Sequence, residues 1–218
     1  MKKISFDDRF LLTQKVLCGE KTQTRRLLKI NSQNQALLLK HREFCQDPAY
    51  LRMHGQYQIG DIVAISQSYK TVTTEIDDTD KEADFRKKVY NEYKVLSTAS
   101  LTGWNNKLFV KASLMPHNIV ITDKRIELLQ DITDNDAKAE GIEFNGRYAW
   151  VPINQKIIGW QKLNEKVLDH DYDEQKRKVT IFYTSPKKAY AAMINEICGK
   201  NIWQQNLFVI VYTFKLVK

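Results

Sequence analysis

Four side chains near the start of the chain, Lys21, Thr24, Arg25 and Arg26, and one distant carboxylate, Glu140, are of the types that grip or cleave a polarised carbonyl. Lys21 and Thr24 are three residues apart. They share a face if the segment turns or starts a helix, whereas in an extended strand they point to opposite sides. A turn would gather a hydroxyl and an ammonium beside two guanidiniums, which suits an anionic group or a carbonyl oxygen. The plainer alternative is a basic, solvated loop. Glu140 falls in the last turn of a short helix, where the dipole disfavours a negative charge, so the carboxylate calls for a cation nearby. Its plainer alternative is an ordinary surface glutamate. Cys18, Cys45 and Cys198 are scattered, without the short spacings of a zinc or redox motif, and read as reduced, buried or half-buried thiols. No metal and no cofactor is expected.

These residues need elements to hold them. Asp7 or Asp8 caps a helix with Phe10, Leu11, Val16 and Leu17 at helical spacing, closed by Gly19. The stretch from Asn34 to Cys45 is an ambiguous helix. Gly60-Asp61 turns into a strand from Ile62 to Ser66 that continues toward Val72. Phe85, Val89, Tyr93 and Leu96 mark a helix over 81–96, and Asn118 to Leu129 alternates as a long strand interrupted by Asp123-Lys124-Arg125. Thr133 caps a short helix with acidic residues in its first turn and Gly141 as terminator. Ser185-Pro186 opens another, with Tyr190, Met193, Ile194 and Ile197 on one face and Gly199 at its end. The apolar, β-branched run from Leu207 to Val217 suits a central strand. Helices and long strands without regular alternation give an α+β class.

A chain of 218 residues with 43% hydrophobic content is enough for one core-bearing domain. No stretch reaches the ~18 apolar residues of a membrane span, and no apolar run follows the first lysines, so no membrane partner, no secretory signal and a cytoplasmic location are expected. The 34 Lys+Arg against 26 Asp+Glu leave +8, which favours polyanions without requiring one. Residues 75–84 are acidic, whereas Lys156, Lys162, Lys166, Lys176, Arg177, Lys178, Lys187 and Lys188 crowd 155–190 as a solvated face or a phosphate-contacting rim. Tyr69, Trp104, Tyr148, Trp150 and Trp160 stack on bases or, more ordinarily, pack.

The segment Gly19-Glu20-Lys21-Thr22-Gln23-Thr24-Arg25-Arg26 resembles the signature that opens ASCH domains, especially phage-associated ones. Further blocks follow in the family's order: Gly60-Asp61-Ile62, Leu114-Met115-Pro116, Arg125-Ile126, Asp131 through Ile142, and Trp203-Gln204-Gln205-Asn206 before the apolar strand. The resemblance implies a single domain over 1–218 with a PUA-like β-barrel, and insertions at about 31–56, 73–103 and 145–184. It also implies a cleft for RNA or a nucleoside-like small molecule, and a match of Lys21, Thr24 and Glu140 to the catalytic set of small bacterial acetylcytidine amidohydrolases. Arg26 matches a further basic position. In such chemistry Thr24 attacks or positions a water, a Lys21 lowered in pKa by burial takes its proton, and Glu140 orients Lys21 or protonates the leaving amine. If Glu140 instead keeps Lys21 charged, the lysine serves as an oxyanion or phosphate partner. Where phage-type relatives carry an acidic residue and a Trp, this chain has Gln67, Ser68 and Tyr69. Arg25, Arg26, Gln67 and Tyr69 are therefore the expected ligand contacts. Binding without turnover is the broader expectation, an acyl-amide hydrolase the alternative, and an accessory protein acting through protein contacts the weaker third.

Overall fold

The computed structural model describes residues 1–95, 97, 101–144, 149–150 and 182–217. The main sheet contains β1 (Lys2–Ile4), β2 (Gln23–Leu27), β3 (Ile62–Ile65), β4 (Asn118–Leu128) and β8 (Phe208–Val217), in the order β1-β3-β4-β8-β2. β1 runs parallel to β3 and every other pair is antiparallel. Three two-residue strands, β5 (Glu143–Phe144), β6 (Ala149–Trp150) and β7 (Phe182–Tyr183), form a second small sheet. The helices are α1 (Leu12–Leu17), α2 (Ser32–Lys40), α3 (Pro48–Met53), α4 (Tyr69–Glu75), α5 (Thr79–Tyr93), α6 (Asp134–Ala139), α7 (Pro186–Cys198) and α8 (Ile202–Gln205). The class is α+β. The five-stranded sheet is not closed into a barrel: β1 and β2 are its edges, and the chain passes between them through α1 rather than through a hairpin.

β4 and β8 form the spine of the sheet. Their register slips between Ile121, opposite Phe214, and Asp123, opposite Thr213, so Thr122 is an extra residue. This bulge resets the alternation of side chains. Ile119 and Ile121 are buried before it, and Lys124, Ile126 and Leu128 after it, so both apolar halves reach the core despite opposite parity. Arg125 and Glu127 are thereby turned to the other face. The buried Lys124 donates to the carbonyls of Leu51 and His54, holding the end of α3, and to Gln58 Oε1.

Local chemistry explains where the elements depart from the expected ones. Asp7 caps as its type suggests, but the helix begins as a 3₁₀ turn, Asp8–Phe10, and Leu11 at φ 55 separates it from α1. The strand after Gly60-Asp61 stops at Ile65, because the Ser68 hydroxyl accepts from the Thr71 amide at 3.1 Å and starts α4. The Trp203 block, for which the sequence assigned no element, forms α8 ahead of the strand. Of the cysteines, Cys45 is buried while Cys18 and Cys198 are exposed, which corrects the expectation for those two.

The main core joins both faces of β4 and β8 to α1 and α7, through Val16, Ile126, Leu129, Met193 and Val211 among others. A second cluster gathers Tyr69, Val72, Val89 and Met115 where α4 and α5 pack beside β3. Among the described residues no helix is long and apolar enough to cross a membrane. Most of the segment 145–184 lies outside the described residues, with Tyr148, Trp160, the Trp150 side chain and the cations from Lys156 to Lys178.

Candidate functional site

Three short elements bring the candidate residues together. After α1, Gly19 takes φ +80, a conformation that residues with a Cβ rarely adopt, and the chain turns back. The Lys21 amide then donates to the Lys15 carbonyl at 2.9 Å and the Thr22 amide to the Ala139 carbonyl at 2.8 Å, which ties this segment to α1 and to the end of α6. β2 begins two residues after Lys21, so Thr24 is in an extended strand and the expected turn ends before it. Because Lys21 precedes the strand, the alternation that would oppose the two side chains does not apply to it.

α6 has a full capping box. The Asp136 amide donates to the Thr133 hydroxyl at 3.1 Å, and the Asp136 carboxylate accepts from the Thr133 amide at 3.3 Å. The helix ends at Glu140, and Gly141 follows at φ +97. A Cβ on Gly141 would lie 3.2 Å from Lys15 Cδ and 3.3 Å from Leu12 Cδ2, so the turn also fits closely against α1.

The cation that Glu140 calls for is Lys21. Lys21 Nζ donates to Glu140 Oε2 at 2.6 Å and to the Glu140 carbonyl at 2.8 Å. The other carboxylate oxygen accepts from Arg25 at 3.1 Å. Arg25 also donates to Glu127 Oε1, at 2.7 and 3.0 Å, and lies 3.4 Å from Asp136 Oδ2. Arg125 closes the ring with bonds of 2.9 Å to Glu127 and 3.0 Å to Asp136. Three cations thus face three carboxylates in a charge-balanced cluster, and the side chains of Lys21, Arg25 and Glu140 are no more than 4% exposed.

Burial pushes the Lys21 ammonium below the ordinary lysine value of 10.5; Glu140 pulls it back without cancelling that effect, and Arg26 and Arg25 push it lower still. Arg25 moves the opposite way: burial disfavours its charge, but Glu140, Tyr190 and Glu127 outweigh it. Of the two cations on Glu140, Lys21 is the one whose charge is the less firmly held.

A hollow of about 280 Å³ opens beside this cluster, lined by Lys21, Thr24, Arg25, Arg26, Lys29 and Glu140, with Ser5 and Asp7 near them. Its other walls are apolar, from Phe6, Leu12, Leu27 and Leu129 and from the α7 face of Tyr190, Met193, Ile194 and Ile197. Small-molecule pockets run roughly from 300 to 1,000 Å³, so the space is suited to one compact ligand. Among the described residues the Thr24 hydroxyl has no hydrogen-bond partner, although Thr24 is only 5% exposed. Tyr190 is 1% exposed, and burial followed by Glu140 raises its hydroxyl well above the ordinary tyrosine value despite Arg25, so it stays protonated.

The hollow runs along the free edge of β2. The Phe214 amide donates to the Thr22 carbonyl and the Leu28 amide to the Phe208 carbonyl, both at 2.9 Å, which assigns the even-numbered residues of β2 to bonding with β8. The main-chain groups of Arg25 and Leu27 consequently face the open edge. An acceptor and a donor are offered side by side within an apolar surround.

No family model, curated protein or solved structure matches this chain.

The hollow brings together Lys21, Thr24, Glu140, Arg25 and Arg26. Arg26 is exposed at its mouth and donates to the Ser5 carbonyl at 2.6 Å. It does not bring in Gln67 or Tyr69. Gln67 is buried elsewhere, donating to Glu75 at 2.6 Å, and Tyr69 is fully buried in the second cluster, 2.9 Å from the Tyr93 hydroxyl. Trp104 belongs to that cluster as well. Sequence reasoning overlooked Glu127, Asp136, Tyr190 and Lys29 as parts of the site. The two-residue spacing of Arg125 and Glu127 on a strand was a usable signal for a same-face ion pair, whereas Tyr190 reads only as one more apolar position of α7. Among the described residues no His, Cys, Asp or Glu group is arranged to hold a metal ion.

Proposed function

We propose that this chain binds a nucleoside-like small molecule in the hollow beside Lys21, Thr24 and Glu140. The observation that carries the reading is the pairing of an apolar-walled space with polar groups that have no partner among the described residues: the Thr24 hydroxyl and the main-chain edge at Arg25 and Leu27. A heterocyclic base has an apolar face for Phe6 and Met193 and an amide-like edge for a donor beside an acceptor. The ordered ASCH-like blocks support the same reading, since Lys21, Thr24 and Glu140 all line one space. The finer fold reading belongs to this proposal too: one ASCH domain of PUA-like type, opened along the β1 and β2 edges, with the five-stranded mixed sheet as its support and the segments 31–56, 73–103 and 145–184 as insertions.

A second reading, removal of an acyl group from an acylated nucleoside, is favoured by the sharing of Glu140 between Lys21 and Arg25. A neutral Lys21 leaves Arg25 and Arg125 facing three carboxylates, so taking the proton from Thr24 restores the balance of the cluster. In that reaction Thr24 Oγ1, or a water it orients, adds to the acyl carbon. The C–N bond then breaks, and the departing nitrogen takes the proton from Lys21; where Thr24 Oγ1 is the nucleophile, a water next adds to the acyl-Thr24 ester, giving its proton to Lys21, and the ester C–O bond breaks to release the carboxylic acid as Lys21 returns the proton to Thr24 Oγ1.

The test is calorimetric titration with nucleosides and with acetylcytidine, alongside chromatography for released cytidine. Thr24→Val is the informative variant because its hydroxyl supports no structural hydrogen bond. Binding without release leaves the first reading standing; release that Thr24→Val abolishes establishes the second. Absence of both binding and release refutes the site.

A further inference from the structure

We infer that the ligand carries a phosphate on its sugar, so that the hollow takes a mononucleotide rather than a free nucleoside. This rests on the nucleoside reading above and adds a phosphate subsite made by Arg26 and Lys29 at the mouth of the hollow. Both residues line the space and both are exposed, in contrast to the sealed Lys21 and Arg25.

Among the described residues neither charge meets a carboxylate. Arg26 has one hydrogen bond, to a neutral carbonyl, which leaves most of its five N–H donors for a ligand. Among the described residues Lys29 makes no hydrogen bond and no ion pair. Among the described residues the one carboxylate at the mouth is Asp7, which is engaged by Arg9 at 2.6 Å and whose ordinary acidity is enhanced: burial opposes the charge, but hydrogen bonds and charge from Arg9 prevail. It therefore adds little repulsion against an anion. The buried charge cluster is neutral by its own pairing, so among the described residues the mouth presents two cations without a counter-charge.

A guanidinium and an ammonium together suit a phosphate monoester, the first through its paired N–H groups and the second as a point charge. A base among the apolar walls would place its sugar toward the mouth, where those cations are. The hollow has room for one such unit, which argues for a mononucleotide over a strand of RNA.

The experiment titrates the protein with the four ribonucleosides, their 5′- and 3′-monophosphates, and a short single-stranded RNA. The preferred base should bind roughly tenfold tighter as a monophosphate, a difference of about 1.4 kcal/mol. High salt should shrink that advantage. Lys29→Gln, which removes no contact of the fold, and Arg26→Gln should each lower the ratio of nucleotide to nucleoside affinity, and the double variant should bring it to about one. Equal affinity for nucleoside and nucleotide in the unaltered protein overturns the subsite and leaves the nucleoside reading intact. RNA binding tighter than any mononucleotide overturns it in favour of a strand. No binding of any probe overturns both readings.

Discussion

Glu140→Gln isolates the physics of the buried cluster. The substitution keeps the shape of the side chain and an acceptor for Arg25, but it leaves Lys21, with a side chain 1% exposed, without its counter-charge. Removing one partner of a buried pair costs about 3–5 kcal/mol, a large part of the ~5–15 kcal/mol that holds a domain together. With a urea m-value of about 2 kcal/mol/M, the unfolding midpoint should fall by about 1.5–2.5 M. The deficit should shrink as pH rises toward 10.5, because the burial-lowered Lys21 sheds its proton and the uncompensated charge disappears. Adding Lys21→Met should restore part of the loss, giving a coupling energy of about 2 kcal/mol in a double-mutant cycle. A loss below about 1 kcal/mol, the value of an exposed pair, together with additive variants, would mean that water reaches this pair and that the cluster is not sealed.

Further predictions follow from neighbouring features. Because the folded protein holds Lys21 below 10.5, the unfolded chain binds more protons between the lowered value and 10.5; stability therefore rises with pH across that window, and Lys21→Met should flatten the rise in thermal melts. Asp136 is held below 3.8: burial opposes this, but the Thr133 bonds and the charges of Arg125 and Arg25 prevail, so its stabilisation is present above 3.8 and lost as pH falls through the lowered value. Asp136→Asn should therefore be less stable than the parent at neutral pH, by about 1 kcal/mol for the cap alone, and converge with it in acid. Gly141→Ala forces a side chain into a left-handed conformation against Lys15 and Leu12 and should cost about 1–2 kcal/mol in denaturant unfolding. Thiol labelling of the native protein should modify Cys18 quickly, Cys198 more slowly because burial beside the hollow raises its thiol pKa, and Cys45 only on unfolding; rapid modification of all three would contradict the burial of Cys45.

Much of the fold was legible because local chemistry and tertiary packing agree. α6 and α7 begin at side-chain caps and end at glycines, and α5 and the long β4–β8 pair follow the apolar spacing. The open form of the sheet was not legible, since pairing of β1 and β2 depends on contacts between distant segments. The bulge at Thr122 was hidden for a related reason: the polar residues 123–125 look like a break in the strand, whereas one extra residue simply exchanges its faces. In the site, the type and order of Lys21, Thr24 and Glu140 were readable. The protonation balance was not, because it depends on Arg25 reaching Glu140 and Glu127 together. Gln67 and Tyr69 were drawn in by their place in a motif, but the α4 cap at Ser68 takes them to another core.

β2 has only β8 as a sheet neighbour, yet β2 ends at Leu27 and β8 begins at Phe208. During synthesis the early strand must wait, with its amides bare, until almost everything between has left the ribosome. Its two arginines, with Lys21 and Lys29 on either side, are well placed to keep that waiting edge from pairing with a stranger. A nascent chain halted before Phe208 would have Lys21, Thr24 and the residues of the α7 wall but no neighbouring strand to hold β2 in place, so competence for ligand waits for β8.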